Sequence, residues 1–181
     1  MSKVNLAIPS IDAEMIIPKK TILKEMNLPE GYQYVSFTNQ HQDKVQKLLD
    51  ELNVNFNIDQ IMQAQRTIFK EHCVLVEYQH ELVACASLCQ DEDACLYLAF
   101  VAVREAHQYK GIGRAMVSRI CKQFDRMKTR YPLCAKVNAQ ALEEIKLLNR
   151  MEFTPFLGKT KNKSEQEVEQ DWNVITELLR K

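Results

Sequence analysis

The hydrophobic and polar positions of this 181-residue chain change period repeatedly, and each change predicts an element. Tyr32 to Phe37 reads as a strand. Thr38, Asn39 and Asp43 then offer capping side chains to a helix on which Val45, Leu48, Leu49 and Leu52 fall at i, i+3, i+4 and i+7. A second helix is predicted from Ile58 to Phe69, capped by Asn57, with Ile58, Ile61, Met62, Ile68 and Phe69 facing the core. The apolar runs Cys73 to Tyr78 and Leu82 to Cys89, split by Gln79-His80-Glu81, predict a hairpin whose turn type stays open because no Asn-Gly marks it. After Asp91-Glu92-Asp93, Ala94 to Val103 is apolar on both faces, as a central strand covered by helices on both sides is.

Polar residues run from Arg104 to Lys110, and Gly111 then opens a helix. It carries Ile112, Met116, Ile120, Phe124 and Met127 on one side and Arg114, Lys122 and Arg126 on the other. Leu133 to Asn138 predicts a strand, Ala139 to Met151 a helix through Leu142, Ile145 and Leu148, and Phe153 to Leu157 the start of a last strand. Lys159, Lys161 and Lys163 read as a solvated turn. Ser164-x-x-Glu167 makes a capping box ahead of Val168, Trp172, Ile175 and Leu179, a stripe that reads as core packing. Residues 1–31, with Pro9, Pro18 and Pro29, read as an extended arm that wraps the body. The expected organisation is an arm (1–31), one main α/β domain (32–158) and a helical tail (159–181) packed on the same domain.

Charge narrows the function. Twenty-four basic side chains balance 24 acidic ones, whereas a nucleic-acid or membrane-surface protein needs a surplus of Lys and Arg. No apolar run approaches the ~20 residues that cross a bilayer, and the first residues lack a basic start followed by an apolar stretch. We therefore expect a cytoplasmic protein with neither nucleic-acid nor membrane partners. The six cysteines lie in apolar segments without a C-x-x-C pair, which predicts reduced thiols and no metal site. Cys95 shares a strand face with Tyr97, but no base for a thiol nucleophile is visible beside it. Glycine is scarce: four residues, where average usage of about 7% would give roughly thirteen. Two of the four are Gly111 and Gly113.

A strand, a polar turn with Gly-x-Gly and a helix in that order form a phosphate-holding arrangement. Glycine lets backbone approach an anion, and the first N–H groups of a helix have no partners within it. The segment is Gln108-Tyr-Lys-Gly111-Ile-Gly113-Arg-Ala. No Gly-Lys-Ser/Thr follows, which excludes a Walker loop, and Met116 occupies the third glycine position of a Rossmann turn.

Together with Leu98-Ala-Phe-Val-Ala-Val103 before it, this segment resembles motif A of the GNAT superfamily of acyl-CoA-dependent N-acyltransferases, whose loop is Gln/Arg-x-x-Gly-x-Gly/Ala. The order of predicted elements from Tyr32 to Leu157 is also similar to that family's. The resemblance implies a mixed central sheet with helices on both faces and acetyl-CoA or coenzyme A as cofactor. It implies a pyrophosphate held by Gln108, Tyr109, Lys110, Gly111, Gly113 and Arg114. Main-chain groups of Phe100, Val101 and Val103 would hold the pantetheine and the acetyl carbonyl, where an amide stabilises the oxyanion formed on attack. The acceptor it implies is an amine of a small molecule or a peptide.

Direct transfer needs an uncharged amine and an acid for the departing thiolate. Where the family often places Glu or His on this strand, the chain has Tyr97, which is the catalytic candidate as a group that positions a water. The family's usual acid, a Tyr five residues before the Phe of Tyr-x-x-x-Gly-Phe, is Leu148 here, and Glu152 replaces the glycine. Tyr97, Tyr109 or Tyr131 replaces it, or solvent protonates the thiolate, or turnover is weak. The alternative is thus an acyl-CoA-binding regulatory module with little or no transfer. No acidic cluster marks the acceptor site. The family's closing hairpin is also missing: Val4 to Ile8, Glu14 to Ile17 or another subunit of a homodimer is left to partner the last strand.

Overall fold

The computed structural model describes residues 5–18 and 24–180. In chain order these form β1 (Asp12–Ile17), β2 (Tyr32–Ser36), α1 (Gln42–Glu51), α2 (Ile58–His72), β3 (Cys73–Tyr78), β4 (Glu81–Gln90) and β5 (Leu96–Val103). The second half adds α3 (Ile112–Asp125), β6 (Leu133–Asn138), α4 (Leu142–Arg150), β7 (Thr154–Pro155) and α5 (Glu165–Arg180). The strands make one mixed sheet in the order β2-β3-β4-β5-β6-β1-β7, antiparallel throughout except for the parallel β5–β6 pair.

Alternation along the strands builds a core on each face of the sheet. Cys73, Leu75 and Cys85 pack with Val45, Leu48 and Leu49 of α1 and Ile58 and Phe69 of α2. Val74, Val76, Ala84 and Ala86 pack on the other face with Ile112, Met116 and Ile120 of α3, Ile145 of α4 and Trp172 of α5. The expected helix-covered central sheet is what forms. The Asn57 side chain accepts the Gln60 amide at 3.0 Å, and Ser164 and Glu167 close their capping box with bonds of 2.8 and 3.3 Å. The tail stripe through Trp172 is core.

The arm does more than wrap. β1 lies inside the sheet, pairing Met15 with Ala135 of β6 and with Pro155 of β7, so Glu14 to Ile17 supplies the partner that the last strand lacked. Val4, at the start of the other candidate segment, lies outside the described residues. β7 is shorter than the predicted Phe153 to Leu157 strand: Pro155 carries no N–H to donate, which suits it to a sheet edge. The hairpin between β3 and β4 turns through Gln79 and His80, both with positive φ (50° and 66°), the pattern of a type I′ turn made without glycine.

One irregularity opens the sheet. The β4–β5 register passes from Ser87↔Phe100 to Leu88↔Leu98, leaving Ala99 as an extra residue on β5. Such a bulge bends and twists the strand. Pairing of β5 with β6 covers Tyr97↔Cys134 and Leu98↔Ala135, and beyond it the two strands part.

Candidate functional site

Two cavities border this parting, and Glu144 lines both. The narrow one, about 260 Å³, is lined by Val101 and Val103 of β5, by His107, Gln108 and Tyr109 of the following loop, and by the first turn of α3. Its far wall is α4, through Glu143, Glu144, Leu147 and Arg150. The wide one, about 920 Å³, opens on Ala99 and Phe100 of β5, runs along Lys136 to Asn138 of β6, and is closed by β1 and α5.

The narrow cavity gathers most of the cofactor candidates. Gly111 caps α3 with φ of +88°, a left-handed conformation that glycine adopts without a Cβ penalty. The amide of Ala115 makes the first helical bond to Gly111 O at 3.0 Å, so the amides before it have no intrahelical acceptor. The Gln108 side chain ties the loop back by donating to Val103 O at 2.8 Å. Tyr109 holds a φ of +60° with its ring 85% exposed, so the loop's aromatic stands in solvent at the cavity mouth. Gly113 serves packing rather than backbone freedom: a Cβ there would meet Leu147 Cδ2 at 3.3 Å. Lys110 is exposed beside the cavity and is not part of its lining.

The cavity's loop side carries positive charge, while Glu143, paired with Lys146, and Glu144 lie on its α4 wall. Arg114 and Arg150 flank the cavity, adding fixed positive charge to the partial positive charge of a helix N-terminus. His107 accepts from or donates to the Tyr32 hydroxyl through Nδ1 at 2.8 Å and packs against the Tyr32 and Tyr78 rings, which also touch each other. Burial, with the nearby Lys110 and Arg104 charges, lowers its pKa below the usual histidine value.

Tyr97 is set apart from both cavities. Its ring is half-buried against Lys136, whose Nζ lies 4.8 Å from the ring centroid. Burial, then the neighbouring Cys89, push its hydroxyl up to about 12. Leu148 is fully buried in the core and lines neither cavity. Tyr131 is 55% exposed and lines neither cavity. The six thiols are free, and burial together with Asp91 and Asp93 raises the pKa of Cys95, which opposes a nucleophilic thiolate there.

The acidic cluster that the linear sequence does not display appears in three dimensions. Asp12 and Glu14 of β1, Glu144 of α4 and Asp171 of α5 all line the wide cavity, against Lys136 and Lys163. Lys163, expected in a solvated turn, donates to Asp171 Oδ2 and to Asp12 O, both at 2.6 Å, and so ties α5 to β1 at the cavity edge. Glu144 lines both cavities, and burial pushes its carboxyl up to about 7. In the sequence it reads as one more first-turn acid on an amphipathic helix; a carboxylate one turn upstream of the vacant tyrosine position was the only signal that could have singled it out.

The family model described as "Acetyltransferase (GNAT) family" matches residues 40–153. No curated protein matches the chain. Among solved structures, a GCN5-related N-acetyltransferase from Sphaerobacter thermophilus is similar with a TM-score of 0.66 at 15% identity, over 80% of this chain and 48% of that one. Diaminobutyrate acetyltransferase EctA from Paenibacillus lautus, in complex with L-2,4-diaminobutyric acid and coenzyme A, gives 0.56 at 17% identity, over 66% and 74%. The ribosomal-protein-S18-alanine N-acetyltransferase from Escherichia coli gives 0.57 at 15% identity, over 68% and 77%. The chain spans about half the length of the first of these, and at such identities the likeness is one of fold.

Proposed function

The chain belongs to the GNAT acetyltransferase family, and from that premise we propose that it moves an acetyl group from acetyl-CoA to a primary amine by direct attack, with both molecules bound at once. The observation that carries this reading is the run of β5 from one cavity into the other: Val101 and Val103 on the narrow side, Ala99 and Phe100 on the wide side. A pantetheine laid along that strand has its pyrophosphate at the Gln108–Arg114 loop and its thioester where the cavities join. In this reading Gln108, Tyr109, Gly111, Gly113 and Arg114 hold phosphate, with Lys110 adding charge from outside the lining. Main-chain groups of Phe100, Val101 and Val103 align the pantetheine and stabilise the oxyanion, an effect worth several kcal/mol when the donors are fixed in advance.

The wide cavity, within the size range of small-molecule sites, receives the amine. Four carboxylates against two lysines, one of them engaged with Asp171, favour a cationic acceptor. EctA, whose structure holds a small diamino acid with coenzyme A, is a relative in fold with an acceptor of that kind. Tyr97, outside both cavities, is left the role of a positioning group through Lys136.

A second reading, a module that binds acyl-CoA without efficient transfer, is favoured by the burial of Leu148 where the family's acid would stand. Thermal denaturation with acetyl-CoA, CoA and ATP, followed by mass detection of acetylated product from an amine panel, separates the two. Ligand at 100 times its dissociation constant adds about 2.7 kcal/mol of stability. Stabilisation by both coenzymes and acetylated product support transfer; stabilisation without product supports the module; no stabilisation by either coenzyme contradicts both.

A further inference from the structure

Among the described residues, Glu144 is the one that lines both cavities, the narrow one at the Gln108–Arg114 loop and the wide one gathered by β1, β6 and α5. On the acetyl-transfer reading, on which this inference rests, the thioester carbon lies where the cavities meet, and a group on that shared wall faces the attacking nitrogen. We propose that Glu144 is the catalytic base that removes the proton from the acceptor's ammonium before attack.

The chemistry requires such a group. An alkylammonium with an ordinary pKa near 10.4 is almost wholly protonated at neutral pH and has no lone pair to donate. An ordinary carboxylate is a very weak base towards it. Burial narrows the gap by holding the Glu144 carboxyl near 7, close to the pH at which a general base works best. Among the described residues no ion pair reaches Glu144.

The charged groups around it are accounted for on each side. In the wide cavity these are Asp12 and Glu14 on β1, Lys136 on β6, and Asp171 on α5 with its partner Lys163. In the narrow cavity they are Arg114 on α3, His107 on the loop, Arg150 on α4, and Glu143, which is paired with Lys146 at 2.9 Å.

The step balances as follows. The ammonium gives one proton to the Glu144 carboxylate, and the freed nitrogen forms a C–N bond to the thioester carbon. The tetrahedral adduct collapses by breaking the C–S bond. The second nitrogen proton neutralises the departing thiolate, which yields an amide and coenzyme A thiol. The proton on Glu144 leaves to solvent through the wide cavity and restores the carboxylate. No acid at position 148 is needed.

The test compares wild type with Glu144→Gln at saturating acetyl-CoA, using 1,4-diaminobutane, L-lysine and glycinamide as charged acceptors and hydroxylamine as one that is uncharged at neutral pH. Product is followed by mass with the uncatalysed reaction subtracted, and folding is checked by circular dichroism. The expected result is a loss of at least about 100-fold with the charged amines, near-wild-type turnover of hydroxylamine, and disappearance of the rise in rate with pH through neutrality. Equal losses with hydroxylamine and the amines, or an unchanged rate with the amines, overturn the assignment. A wild-type chain that binds acetyl-CoA yet acetylates none of the four also overturns it, whereas failure to bind acetyl-CoA overturns the transfer reading beneath it.

Discussion

A Cβ placed on Gly113 would lie 3.3 Å from Leu147 Cδ2, and Leu147 is itself part of the narrow cavity's wall. The contact is tight, and α3 approaches α4 and β5 this closely because residue 113 has no side chain. Gly113→Val adds three carbons at that point, two of them beyond the Cβ. Overpacking of this kind costs about 1–3 kcal/mol, and we expect a folded variant whose unfolding free energy, measured by urea denaturation, is lower by that amount. Displacing Leu147 also reshapes the cavity, so the variant should lose coenzyme affinity well beyond its loss of stability.

The position of β1 makes the arm part of the core. Met15 is 1% exposed, and its strand is held by β6 on one side and β7 on the other. Met15→Ala should therefore cost 2–5 kcal/mol, the range for deleting a large buried side chain, measured by urea denaturation at constant m-value. An effect within a few tenths of a kcal/mol would mean that β1 is dispensable.

These two cases show what a linear reading captures. α1, α3 and α5 were legible because each carries an uninterrupted i, i+3, i+4 stripe, and the loop because a glycine-poor chain places two of its four glycines there, Gly111 where the backbone turns left-handed and Gly113 where α3 packs closely. The pairing of Met15 with Pro155 was not, because nothing local encodes which distant strand fills a sheet position. The wide cavity was invisible for the same reason: Asp12, Glu144 and Asp171 come from three elements, and each alone looks like solvated surface. Phe153 to Leu157 read too long because its apolar residues do not share one environment: Phe153 is fully buried in the core, Leu157 is 56% exposed, and Pro155 between them has no N–H to extend the pairing.

Leu148 offers a direct check on the family's missing acid. It is fully buried with Ile145, Met151 and Phe153, so a larger polar side chain has no room and no partner there. Leu148→Tyr is expected to lower stability by about 1–3 kcal/mol and to leave turnover unimproved. A variant with raised kcat and wild-type stability would show that the position can reach the thioester.

Burial of Glu144 links stability to pH. Its carboxyl is raised from 4.5 to about 7 in the folded chain, so the folded state retains a proton that the unfolded state releases. The contribution is fully present below the ordinary carboxylate pKa and is lost as pH rises through the folded value. Relative to Glu144→Gln, the wild type should therefore lose stability between about pH 5 and about pH 8, read as urea midpoints of the two proteins across that window. Parallel curves would show that the carboxyl titrates normally.

The central claim is that coenzyme A binds at the turn into α3. Isothermal titration of coenzyme A into the wild type and Gly113→Val measures it without reference to any acceptor. The account predicts one site per chain in the wild type and no measurable binding to the folded variant. Equal affinity for both proteins, or no binding to the wild type, would contradict it.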